Sequence, residues 1–179
     1  TNGDWNCPVV MYAPYGAYLP GGSLWHSQAN ESIFAHCPGL RVVVPSTPED
    51  ATALMWTSMH TDDPTLFLIP KHLFRQQMAV PDDIPAVGFG EARVRREGDD
   101  VTIVSWGNCM EQAFAAADAL ADEVSAEIID LRSIQPWDKE TILKSVEKTG
   151  QLVVVQEDGR SCSDGQMIIR EIMGDSAAS

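Results

Sequence analysis

The chain is poor in basic residues, 12 Lys and Arg against 26 Asp and Glu, for a formal charge of −14 over 179 residues. Such a chain repels phosphate backbones and anionic lipid surfaces unless a local basic patch intervenes. The densest basic cluster is Arg93, Arg95 and Arg96, so neither nucleic acid nor membrane is expected as a partner. The imbalance is spread along the chain, with 3 basic and 8 acidic residues up to Val87 and 9 and 18 beyond it. No stretch reaches the roughly 18 apolar residues needed to span a bilayer. The first residues, Thr1-Asn2-Gly3-Asp4, hold no basic and apolar signal segment and no initiator Met, as expected for a piece of a longer chain. Cys7, Cys37, Cys109 and Cys162 form no C-x-x-C pair and are read as reduced thiols. Walker A, serine-elbow, three-glycine dinucleotide and Gly-Asp-Gly diphosphate–metal motifs are all missing.

Apolar residues make up 44% of the chain and charged residues 21%, an ordinary globular composition. The segment 76–90, with Pro81, Asp82, Asp83, Pro85, Gly88 and Gly90, reads as a linker between units at 1–75 and 91–179. In the first unit, Pro8 to Ala13 reads as a buried strand. Pro14 to Ser23 reads as a loop needing unusual backbone angles, and 29–36 as a short helix. Arg41 to Pro45 and Thr65 to Ile69 read as strands flanking a helix to about His60, with Thr47 as N-cap and Pro48 at its first position. In the second unit, strands at Val101–Trp106, Glu127–Leu131 and Leu152–Val155 alternate with helices. These run from about Met110 to Glu123, from the Asp138 cap to Lys148, and onward from about Asp164. The alternation predicts an α/β fold of mostly parallel sheets with helices on both faces. The continuous apolar strands agree with burial on both sides.

Four histidines are candidates for chemistry. His26 ends the glycine-rich stretch Gly21-Gly22-Ser23-Leu24-Trp25-His26-Ser27-Gln28. Such a loop can carry an imidazole into a cleft, where it donates to a carboxylate or passes a proton. A lone loop histidine is also commonly structural. His36 precedes a Pro-Gly turn and reads as structural. His60 with Asp62 and Asp63 forms either a hard-oxygen cation site or a solvated helix end. His72, beside Lys71 and Arg75, reads as a surface cluster. The Asp130–Asp138 segment lies at a strand end where parallel sheets meet ligands, although packing and capping explain most of it.

Several stretches occur in a familiar order: Pro14-Tyr15-Gly16, Trp25-His26-Ser27-Gln28, Phe34-Ala35-His36-Cys37-Pro38-Gly39-Leu40 and Val44-Pro45-Ser46-Thr47-Pro48. Asp62-Asp63-Pro64, Pro70-Lys71, Asp130-Leu131-Arg132, Pro136-Trp137-Asp138 and Lys148-Thr149-Gly150 continue it. Over nearly its whole length the sequence resembles the beta subunit of the thiamine-diphosphate-dependent 2-oxoacid dehydrogenases, within the transketolase-like superfamily. Its wording is closest to branched-chain members, with pyruvate and acetoin members as alternatives. The resemblance implies part of a pyrimidine-binding domain followed by a truncated transketolase C-terminal domain. It implies oxidative decarboxylation of a 2-oxoacid with acyl transfer to lipoate, in the cytoplasm or an organelle matrix. Thiamine diphosphate with magnesium would be shared with an alpha subunit; a second beta subunit and a lipoyl acyltransferase are the other implied partners. His26 matches the family's active-site histidine, with Trp25, Ser27 and Gln28 beside it. A structural potassium ion would match Pro8, Val10, Met11, Ser58, Thr61 and Asp63. The family's glutamate that activates the cofactor lies upstream of Thr1, so this chain alone is expected to be inactive. A non-catalytic assembly module is the alternative reading.

Overall fold

The computed structural model describes residues 3–17, 22–79 and 82–176. In chain order they form β1 (Val10–Tyr15), α1 (Ser23–His26), α2 (Glu31–Ala35), β2 (Arg41–Val43), α3 (Pro48–Met59) and β3 (Thr65–Pro70). A short 3-10 helix (Lys71–Arg75) follows, then β4 (Arg93–Arg96), β5 (Val101–Ser105), α4 (Cys109–Ala119), β6 (Ala126–Asp130) and β7 (Ser133–Gln135). The order closes with α5 (Lys139–Thr149), β8 (Leu152–Val155) and α6 (Asp164–Ser176). Among the described residues no helix is long and apolar enough to cross a membrane.

The helices start where their side chains can satisfy the free amides of a first turn. Thr47 Oγ1 accepts from the Asp50 amide at 3.1 Å, with Pro48 in the first turn of α3. Asp138 Oδ1 accepts from the Thr141 amide at 3.0 Å. Helix α5 stops at Gly150, whose φ of 72° returns its amide to Val146 O at 2.8 Å. Helix α4 ends at Ala119 rather than near Glu123. Asp118, Asp122 and Glu123 crowd the negative end of its dipole with no basic residue in the last turn, and the chain leaves the helix through a turn.

Each sheet has three parallel strands and one antiparallel edge. The orders are β1-β3-β2-β7 and β4-β6-β5-β8. Strands β1 and β3 run in register from Val10 opposite Thr65 to Tyr15 opposite Pro70. The fold is thus α/β with mostly parallel sheets, as expected. The two antiparallel strands β4 and β7 are additions to that expectation, and β7 crosses between the units. It lies in the second half of the sequence yet pairs with β2, placing Val42 opposite Gln135 and Val43 opposite Ser133.

The crossing joins the halves in one core. Tyr15, Val42, Val44, Leu66 and Leu68 pack in a single cluster with Val104, Trp106, Ile129, Leu131, Ile134, Ile142, Ile168 and Ile172. Smaller clusters lie under α4 (Ile103, Met110, Ala113) and under α3 (Val43, Leu54, Phe67). Residues 82–90 carry no helix or strand, and Val87 and Phe89 pack against the cluster under α3.

Buried polar ties reinforce the join. Glu31 Oε1 accepts from Tyr15 Oη at 2.8 Å and from Trp106 Nε1 at 2.7 Å, so one oxygen links the ends of β1 and β5. Burial pushes the Glu31 carboxyl up to about 7. Arg132, in the left-handed region at φ 59°, is held there from both sides. Its NH1 donates to the buried Asp50 Oδ1 at 2.9 Å, and its NH2 donates to Glu91 O at 2.8 Å.

Gly107 lies where the halves pack tightly against each other. At φ 57°, a Cβ here would sit 3.0 Å from Val44 Cγ1 and 3.2 Å from Tyr15 Cε1. Gly107→Ala is therefore expected to cost about 1–2 kcal/mol from backbone conformation alone, and more from crowding. Gly159→Ala, where a Cβ meets nothing, should stay within about 0.5 kcal/mol. Thermal unfolding checks both, and equal effects would contradict the close packing. A second prediction concerns pH. Between the ordinary value of 4.5 and about 7, native Glu31 keeps a proton that the unfolded chain releases. Stability therefore falls as pH rises through that window, with a slope of about 1.4 kcal/mol per pH unit for this group. Glu31→Gln should flatten the fall in Tm between pH 4.5 and about 7; parallel profiles would contradict the assignment.

Candidate active site

Strand β1 hands the chain to a glycine turn because nothing larger fits. Gly16 has φ 72°, and a Cβ there would collide with the Glu157 carboxylate and the Asn108 amide. Of the expected loop, Tyr18 to Gly21 lie outside the described residues. The chain returns at Gly22, and Ser23, at φ 50°, starts the one-turn helix α1. The Gly16 amide donates to Gln28 O at 3.0 Å, closing the base of the segment.

His26 ends α1 on the surface, with Trp25 84% and Leu24 75% exposed beside it. Ser27 is half-buried and Gln28 exposed. Among the described residues, the side chains of Trp25, His26, Ser27 and Gln28 make no hydrogen bond. The main chain of His26 is fixed instead, by its amide on Gly22 O at 3.0 Å and by Lys71 Nζ, which donates to its carbonyl.

His72 corrects the expectation of a surface cluster. The 3-10 helix after β3 turns it inward, where it is 5% exposed and its Nδ1 bonds Asn108 Oδ1. Its Nε2 lies 3.9 Å from Glu111 Oε1. His36 is exposed and borders a cavity of about 650 Å³ with Gln135, Trp137, Cys162 and Arg170. His60 is engaged locally, its Nδ1 2.8 Å from Trp56 O and its ring stacked on Trp56. Asp63 pairs with Arg41 at 2.6 Å, and the buried Ser58 hydroxyl donates to Leu54 O at 2.7 Å. Among the described residues no three His, Cys, Asp or Glu converge on a metal position.

The thiols offer no nucleophile in the core. All four cysteines are free, and burial, then the Glu157 and Glu31 charges, push buried Cys109 up to about 12. Asp130 is fully buried; burial and the Asp50 charge raise its carboxyl to about 7, against a hydrogen bond from Ser46 Oγ at 2.8 Å. Ser46 Oγ in turn accepts from the Gly107 amide at 2.9 Å. The strand end at Asp130 is thus occupied by packing and structural bonds.

Lys71, Asn108 and Glu157 bond the main chain of Gly16, Ala17 and His26, and no local motif marks Asn108 or Glu157. Gly107-Asn108 reads only as a turn, and Glu157 only as the start of a loop. One signal was available: both follow apolar strands of a parallel sheet, at the carboxyl ends where ligands are met.

The comparisons with known proteins agree with this architecture. The family described as "Transketolase, pyrimidine binding domain" matches residues 1–77, and "Transketolase, C-terminal domain" matches residues 90–178. The 2-oxoisovalerate dehydrogenase subunit beta of Bacillus subtilis (strain 168) is 44% identical over 165 residues, covering 91% of this chain and 50% of the relative. The pyruvate dehydrogenase E1 component subunit beta of the same organism is 37% identical over 174 residues, covering 96% and 53%. A solved structure, "Split gene transketolase, inactive beta4 tetramer", superposes with a TM-score of 0.79 at 24% identity, covering 95% of this chain and 54% of that one. It shares the fold. The chain spans about half the length of the curated relatives it matches. With both domain families matched in sequence and the mixed, mostly parallel sheets in place, the chain belongs to the transketolase-like superfamily, with 2-oxoacid dehydrogenase beta subunits as its homologues.

Proposed function

We propose that this chain is part of the beta subunit of the decarboxylating component of a 2-oxoacid dehydrogenase complex. Its reaction is oxidative decarboxylation of a 2-oxoacid, with a branched-chain acid as the favoured substrate, followed by acyl transfer to lipoate. The 44% identity to a 2-oxoisovalerate dehydrogenase subunit supports the substrate class. The observation that carries the catalytic reading is His26. Its ring is exposed and free of described partners, while its main chain is held from two sides.

Thiamine diphosphate with magnesium, shared with an alpha subunit, supplies the carbanion chemistry when bound. The described residues include no diphosphate loop, so the chain's part is to close the site from one side. Leu24 and Trp25 present bare apolar surface beside His26, which suits a planar heteroaromatic group and excludes water from it. The His26 imidazole can hand a proton to, or take one from, an oxygen of the 2-oxoacid, and can stabilise negative charge there. Ser27 and Gln28 add a hydroxyl and an amide for orientation. Exposed Trp5 and Ile33, at 78% and 67%, fit surfaces that an alpha subunit or a second beta subunit covers. A lipoyl acyltransferase is the partner that accepts the acyl group. The bacterial relatives support a cytoplasmic location, with an organelle matrix as the eukaryotic counterpart.

A potassium ion at this helix end would take main-chain oxygens near Pro8, Val10 and Met11 together with oxygens of Ser58, Thr61 and Asp63; the Asp63 carboxylate already pairs with Arg41 at 2.6 Å.

In the full beta chain assembled with its alpha partner, His26→Ala is expected to lower acyl transfer by about 10²–10⁴-fold. Thiamine diphosphate affinity should change little. Acyl-transfer kinetics and cofactor titration check this together; near-normal turnover would refute the role.

A further inference from the structure

The segment that bears His26 is gripped from both sheets. From the first, Lys71 Nζ donates to Gly16 O at 2.9 Å and to His26 O, tying both described ends of the segment to one ammonium group. From the second, Asn108 Nδ2 donates to Ala17 O at 2.8 Å and to Glu157 Oε2 at 2.9 Å. The Ala17 amide donates to Glu157 Oε1 at 3.2 Å. Both main-chain polar groups of Ala17 are therefore taken by side chains of the other sheet. Buried His72, through Nδ1 on Asn108 Oδ1, sets which way the Asn108 amide faces.

The location of this grip follows from topology. In the order β4-β6-β5-β8 the chain leaves β5 for β6 on one side and later returns as β8 on the other side of β5. The crevice at the carboxyl ends of β5 and β8 is thus the switch point where open α/β sheets bind ligands. Asn108 follows β5 and Glu157 follows β8. We propose that this crevice takes the main chain at Gly16–Ala17 as its ligand, and that Lys71, His72, Asn108 and Glu157 are positioning residues that aim His26. The proposal rests on the catalytic reading of His26 given above. Gly16 is required because any side chain would occupy the space of the Glu157 carboxylate and the Asn108 amide. A proton-transfer group must be held within about half an ångström of its productive place, and Lys71 fixes the main chain of His26 itself while sharing its ammonium with Gly16 O.

Two measurements test the proposal separately from its parent reading. In the chain itself, Lys71→Met and Asn108→Ala should raise amide hydrogen exchange at Gly16, Ala17 and His26 by about tenfold or more. Exchange in β5 and β6 should stay unchanged. Glu157→Gln keeps the volume and should raise exchange less, which covers the case in which Asn108→Ala fails to fold. In the full beta chain with its alpha partner, Lys71→Met should lower kcat by about 10–100-fold with little change in substrate KM. Lys71→Arg should recover part of that, and Lys71→Met should cost nothing further in a His26→Ala background. Unchanged exchange, or a fully additive loss in the double variant, overturns the proposal. Normal turnover by His26→Ala alone overturns the parent reading and leaves the exchange result to decide whether the grip exists.

Discussion

One carboxylate oxygen, Glu31 Oε1, accepts hydrogen bonds from Tyr15 at the end of β1 and Trp106 at the end of β5. All three side chains are buried, and among the described residues the second Glu31 oxygen has no hydrogen-bond partner. A buried carboxyl in that state is costly as a charge, so it stays protonated further up the pH scale than an exposed one. Its two donors fix the distance between the carboxyl edges of the two sheets. Gly107 and Asn108 follow Trp106 directly, so the place of the Asn108 amide depends on this contact.

Two further ties act in the same direction. The buried Asp50–Arg132 pair joins the start of α3 to the corner between β6 and β7. Breaking such a pair by removing one partner commonly costs about 3–5 kcal/mol. The chain from Asp130 through Ser46 to the Gly107 amide links the end of β6, by way of the turn after β2, to the turn after β5. Each tie crosses from one half of the sequence to the other. Side chains that follow strands of both sheets consequently reach the main chain at Gly16–Ala17, and Lys71 also reaches the carbonyl of His26.

What could be read from the sequence is what local chemistry controls. Thr47, Pro48, Asp138 and Gly150 mark helix ends because caps act within one turn, and the apolar runs at β3 and β6 are strands buried on both faces. Strand β7 was not legible, since three residues, Ser-Ile-Gln, show no period and pair only through a distant partner. Strand β4, Arg-Val-Arg-Arg, reads as a charged stretch, yet Arg95 is drawn in by buried Asp50. His26 stands out as a candidate through its glycine-rich surroundings and a family likeness. Asn108 and Glu157 stand 91 and 140 residues from Ala17, so their meeting is a property of topology and not of spacing. His72 was misread because its charged neighbours Lys71 and Arg75 suggest a solvated stretch, whereas the 3-10 helix turns the imidazole inward.

If the two sheets share one core held by Glu31, they open together. Native-state hydrogen exchange measures this most directly, by following amides of β2 and β3 against those of β5 and β6 as denaturant is raised. The account predicts that the slowest amides of both sheets converge on one global opening free energy with one denaturant slope. Separate plateaus, with one sheet exchanging through an opening that leaves the other protected, would contradict it.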